Sequence, residues 1–137
     1  MRKTLFTMAS LVLVLVAAGC SDNSTGPNGS ITATFTLQTF NGSSLPALFD
    51  QASGQERDLV AETFTLYSDG TYTDDYTMRT LSSSGNSDVT YRDVGLYTQN
   101  NTALQFHDTQ TGDIFTGSLT GNTLTITQFS DTYVFTR

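Results

Sequence analysis

Acid–base or metal chemistry in this chain would have to come from carboxylates. It holds one histidine, His107, and one cysteine, Cys20, beside 13 Asp and Glu residues. His107 lies in Leu104-Gln105-Phe106-His107-Asp108, where strand alternation sends Leu104 and Phe106 inward and His107 to the surface. No second ligand stands at a metal-binding spacing from it. No Gly-x-Ser-x-Gly turn offers a nucleophile. Asp74 and Asp75 are neighbours, so a strand points them to opposite sides and keeps them from sharing a proton or a metal. Glu62, Asp74 and Asp93 differ, because each shares a face with apolar residues. Glu62 aligns with Val60, Phe64 and Leu66, Asp74 with Tyr72, Tyr76 and Met78, and Asp93 with Gly95 and Tyr97. Carboxylates pointing into a core need partners, here Arg79, Arg92, tyrosine hydroxyls or water. Such acids form either a structural hydrogen-bond network, the preferred reading, or a polar ligand pocket. No catalytic, metal or cofactor-binding set is assigned.

Cys20 carries a different chemistry. It ends Leu13-Val14-Leu15-Val16-Ala17-Ala18-Gly19-Cys20, which resembles the lipobox of a bacterial lipoprotein signal peptide. Arg2 and Lys3 form the basic start and Leu5 to Ala18 the apolar stretch, too short for a spanning helix. The resemblance implies removal of residues 1–19 and acylation of Cys20, with more than one chain giving a stable anchor. Ser21, rather than Asp, follows the cysteine, which favours the outer membrane in a host with two membranes. The expected address is therefore the bacterial cell envelope, with the membrane reached through lipid on Cys20.

Cleavage at that point leaves four arginines against thirteen acids, a formal charge of −9, and no lysine. Nucleic acid is an improbable partner for such a surface, since phosphate binding needs a basic footprint. Ser21 to Ser30 is polar and rich in Gly, Pro, Asn and Ser, so residues 20–30 read as a lipidated cysteine and flexible tether.

From residue 31 to 137 the pattern is that of strands. Ile31, Ala33, Phe35 and Leu37 alternate with threonines and Gln38. Eight strands are expected, near 31–40, 58–68, 71–82, 88–98, 102–108, 113–120, 123–129 and 132–137, with turn signals such as Asp69-Gly70 and Gly121-Asn122 between them. Leu45 to Phe49 is an apolar patch that Pro46 bars from a central strand; it is expected as a plug over one end, followed by a polar loop over 50–58. Eight antiparallel strands predict an all-β, up-and-down barrel, with an open β-sandwich as the alternative. Phe35, Phe64, Tyr72, Tyr76, Tyr97, Phe106, Phe115, Tyr133 and Phe135 are expected to fill its core rather than line a cavity.

Phe40-Asn41-Gly42-Ser43-Ser44-Leu45-Pro46, Leu66-Tyr67-Ser68-Asp69-Gly70-Thr71-Tyr72, Asp93-Val94-Gly95-Leu96-Tyr97 and Leu119-Thr120-Gly121-Asn122-Thr123-Leu124-Thr125 together resemble the small bacterial lipocalin-like lipoproteins. The resemblance implies a barrel over 31–137 that carries a small apolar or amphipathic ligand without catalysis. The alternative expectation is a packed barrel docking an unspecified protein of the envelope through an outer face, with Val94 and Leu96 as the residues to examine.

Overall fold

Alternating apolar and threonine residues make the first strand of the computed structural model, β1 (Ile31–Phe40). The structure describes Gly29 and residues 31–52 and 54–137; Cys20, the signal segment and nearly all of the tether lie outside the described residues. Nine more strands follow: β2 (Ser43–Ser44), β3 (Ala47–Ala52), β4 (Gln55–Tyr67), β5 (Thr71–Ser82), β6 (Gly85–Asn100), β7 (Ala103–Asp108), β8 (Ile114–Thr120), β9 (Thr123–Gln128) and β10 (Asp131–Thr136). Among the described residues there is no helix.

β4 to β10 run as an antiparallel meander, and β1 joins its two outer edges. Thr36 to Phe40 pair with β10 and Ile31 to Thr36 with β4. The result is a closed eight-stranded up-and-down barrel, so the open sandwich falls away. Every pairing that closes the ring lies within residues 31–137.

Two short strands stand outside the ring. Asn41 and Gly42 both take positive φ, 51° and 80°, and turn β1 tightly into β2. Leu45-Pro46 is a cis peptide. β3 then pairs with the first residues of β4, on the edge that β1 occupies further along. The expected plug and polar loop are thus an edge strand. Pro46 precedes its first residue and costs it no ladder bond. Ala47 is buried by this pairing, while Leu48 stays exposed.

A second correction falls on β4. A bulge between Leu59 and Ala61 shifts the alternation, so Leu59 rather than Val60 points into the core. Beyond the bulge Glu62, Phe64 and Leu66 face inward as expected.

The barrel has two unlike ends. At the end where β1 begins and β10 finishes, Phe35, Phe64, Tyr72, Phe106, Phe135 and Leu124 are fully buried. Phe64 stacks on Tyr72 at 4.9 Å and meets Phe106 edge-on at 5.2 Å. Arg137 closes this end, its guanidinium 5.6 Å from the Phe35 ring centre. At the other end β4, β5 and β6 rise above their neighbours, and the barrel is not filled.

Gly95 lets the packed end form. A Cβ there would sit 2.4 Å from the His107 carbonyl oxygen and 2.5 Å from the Tyr72 ring, closer than real side chains approach. The close approach at this glycine is made by the His107 carbonyl and the ring of Tyr72. Gly95→Ala should destabilise the barrel by about 1–3 kcal/mol, read by urea unfolding, because overpacking must displace a backbone or a buried ring. An unchanged midpoint would show that Tyr72 can move aside.

Candidate functional site

The unfilled end holds a cavity of about 360 Å³. Alternation on β4, β5 and β6 aims Glu62, Asp74 and Asp93 into it, so the three inward acids of the sequence converge once the sheet curls. Phe64 and Phe115 belong to its floor, Leu59, Met78 and Ile126 to its sides, and Tyr76, Tyr91 and Tyr133 to its wall. Phe49 and Phe129 stand at its mouth. The aromatic residues therefore do both things: they fill one end and line a cavity at the other.

Glu62 and Asp74 bring their carboxyl groups together, and each shifts the titration of the other. Two buried carboxylates side by side repel, so the pair holds on to at least one proton. Burial is the main reason, with the charges of Asp93 and, for Asp74, Asp75 and Asp108 adding to it. Glu62 is held well above the usual carboxylate range and Asp74 is pushed up to about 8. Asp93, half-buried, is raised by burial and by Asp108. Tyr76 is pushed up to about 12 by burial and the same acids. Asp74 Oδ1 is sealed from solvent and has no hydrogen-bond partner among the described residues. A buried acceptor left bare is costly and therefore informative.

The arginines expected to satisfy these acids do not reach them. Arg79 lies on the outer face and grips Asp88 with both branches at 2.8 Å. Arg92 grips Asp75 there in the same way, at 2.6 and 2.9 Å. Arg57 reaches the cavity mouth but is held by Asp50. Each of these pairs joins residues directly opposite one another on neighbouring strands, a register that alternation alone does not reveal.

The remaining candidates separate. His107 is exposed on the outer wall, with Leu96 and Ile114 beside it on β6 and β8. Asp75 points outward, opposite to Asp74. Asp108 is buried because its carboxylate accepts the backbone N–H groups of Gln110 and Thr111, shaping the turn after β7. Among the described residues no group of three or more His, Cys, Asp or Glu side chains is arranged to hold a metal ion.

Phe129 was missed by the sequence reading, which ran the strand through it. It begins the tight turn from β9 to β10 with φ of 51°, and Ser130 follows at 93°. Turns of this kind favour Asn-Gly, and a bulky residue in this region is strained. The strain leaves the Phe129 ring 76% exposed above the cavity. An aromatic residue held in a glycine-type turn is the signal that could have marked it.

Comparison with protein families, curated proteins and solved structures finds no match to this chain. The class is defined by geometry alone: a closed antiparallel barrel with one packed end and one acidic, aromatic-rimmed cavity.

Two predictions follow from the site. Unfolded, Asp74 releases its proton near the ordinary aspartate value of 3.8, whereas the folded pair keeps it to about 8. The folded state therefore binds more protons across that window, and its stability falls as pH rises through it. The thermal midpoint should drop by at least about 5 °C between pH 5 and pH 8, and Asp74→Asn should flatten the drop. A wild-type midpoint that rises with pH would contradict the buried shared proton. Replacing Phe129-Ser130 by Asn-Gly should stabilise the barrel by about 1 kcal/mol in urea unfolding, since it relieves the turn.

Proposed function

We propose that this chain is a lipid-anchored protein of the bacterial envelope whose barrel binds one small amphipathic molecule and does no chemistry on it. The observation that carries the reading is the cavity of about 360 Å³, at the lower end of the range for small-molecule sites. Its apolar sides and few convergent polar groups suit a ligand with one polar end. The Glu62–Asp74 pair could pass a proton, but no histidine or activated nucleophile lies among the residues around it. Binding is the simpler use of the site.

The anchor rests on Cys20 and its preceding apolar run, and the likeness to lipocalin-like lipoproteins rests on the turn-and-strand motifs quoted above. The outer face supports placement in water rather than within a bilayer. Among the described residues it carries threonines and the Arg79–Asp88 and Arg92–Asp75 ion pairs, not the apolar band of a lipid-facing barrel.

A second reading has one observation in its favour. Leu96, 48% exposed, and Ile114, 66% exposed, flank His107 on adjacent strands and form a small apolar row on the outer wall. A barrel that docks a protein of the envelope would use such a row.

Native mass spectrometry of residues 21–137, after exposure to a bacterial lipid and metabolite extract, separates the two. A discrete added mass that is lost on unfolding is the expected result. A bare domain would turn attention to the Leu96–Ile114 face.

A further inference from the structure

We propose that the cavity is a site for organic ammonium ions, whose N–H groups pair with the Asp74 carboxylate while an apolar or aromatic tail lies against the rim. This rests on the reading of the cavity as a small-molecule site and names the chemistry of the head group.

The first reason is the bare acceptor. Asp74 Oδ1 is buried and unpartnered among the described residues, and Asp74 lines the cavity. Once the pair gives up its proton, only a donor can satisfy this carboxylate. The second is the sign of the charge. Glu62, Asp74, Asp93 and Asp131 line the cavity, and Arg57, the basic residue at its mouth, is already held by Asp50. An anionic head, such as a fatty-acid carboxylate, would be repelled and would leave the acceptor unsatisfied. The third is the wall. Tyr76 and Tyr133 stand close enough to Glu62 and Asp74 to feel their charges, and Tyr76 stacks on Tyr91 at 5.3 Å. Ring faces beside carboxylates are the surroundings in which ammonium groups are held. Among the described residues no lysine competes for the position.

The proton shared by Glu62 and Asp74 gives the site its pH dependence. Asp93 from β6, Asp108 from β7 and the Tyr133 hydroxyl from β10 face the pair, and none supplies a positive charge. An arriving ammonium takes over the role of the shared proton, which leaves to solvent. Affinity must then rise with pH, because a primary ammonium stays charged while the pair becomes easier to ionise.

Phenethylamine, phenethyl alcohol and hydrocinnamate carry the same tail with a cationic, a neutral and an anionic head. Each is titrated calorimetrically into residues 21–137 near pH 8 and near pH 5. The expected result is phenethylamine binding at least about tenfold tighter than the alcohol, with no measurable binding of hydrocinnamate. The amine should weaken about tenfold or more at the lower pH. Asp74→Asn should reduce the amine to the level of the alcohol, and Glu62→Gln serves as the second variant should the first fail to fold. Equal binding of amine and alcohol, or tightest binding of hydrocinnamate, overturns the ammonium assignment and leaves a small-molecule site standing. No binding of any of the three to a folded barrel removes both.

Discussion

β1 is paired along both edges, and the barrel depends on that double pairing. Its first half joins β4, its second half joins β10, and the two halves overlap only near Thr36. The offset is the stagger that closure requires, and a bulge between Leu37 and Thr39 absorbs part of it. Without β1, both β4 and β10 would present open edges in a chain rich in β-forming residues. With β1 in place, Phe35 and Leu37 are delivered to the centre, and the face of β4, β5 and β6 that carries the three acids is curled around one space.

The two ends of that space do opposite work. Burial of a single phenylalanine side chain contributes about 1.5–3 kcal/mol, and the packed end collects several. That margin tolerates a pair of carboxyls kept partly protonated and one acceptor left bare. The aromatic block also fixes where those carboxyls sit, because Phe64 lies two residues beyond Glu62 on β4 and Tyr72 two before Asp74 on β5. Strain in the Phe129 turn belongs to the same account. The costly features gather at the open end, the stabilising ones at the closed end.

Most of the strands were legible because apolar residues alternate with threonine, serine and charged residues over long stretches. β5 was read to the residue. The inward aim of Glu62 and Asp74 was legible for the same reason, since each shares a face with large apolar neighbours; that of Asp93 was less so, because β6 carries apolar residues on both faces. The convergence of the three was not, because it depends on the β4–β5 and β5–β6 register, which sets Asp93 directly opposite Asp74 and Glu62 diagonal to it. Val60 was misread as inward, in the place Leu59 takes, because one extra residue at a bulge reverses parity without any local mark. β3 was hidden by Pro46 and by the polar run after Phe49, which look like loop until an edge of β4 is available to pair. The arginines were assigned to the wrong acids because cross-strand partners depend on register, and Arg79 and Arg92 find Asp88 and Asp75 directly opposite. The cavity itself was unreadable: filling and lining use the same side chains, and only the unequal heights of the strands decide between them.

The chain enters the barrel at Ile31, beside Tyr67, at the pole sealed by Phe35 and Arg137. The opening lies at the opposite pole. The molecule is thus a cup joined by its base to whatever precedes residue 31. Were that a lipid on Cys20, the base would be the side nearer the bilayer and the brim would look outward into the aqueous compartment. Cargo would then arrive through water as single dissolved molecules, instead of being drawn up from the membrane beneath. A cup so mounted would collect from the surrounding fluid, and its occupancy would follow the composition and acidity of that fluid.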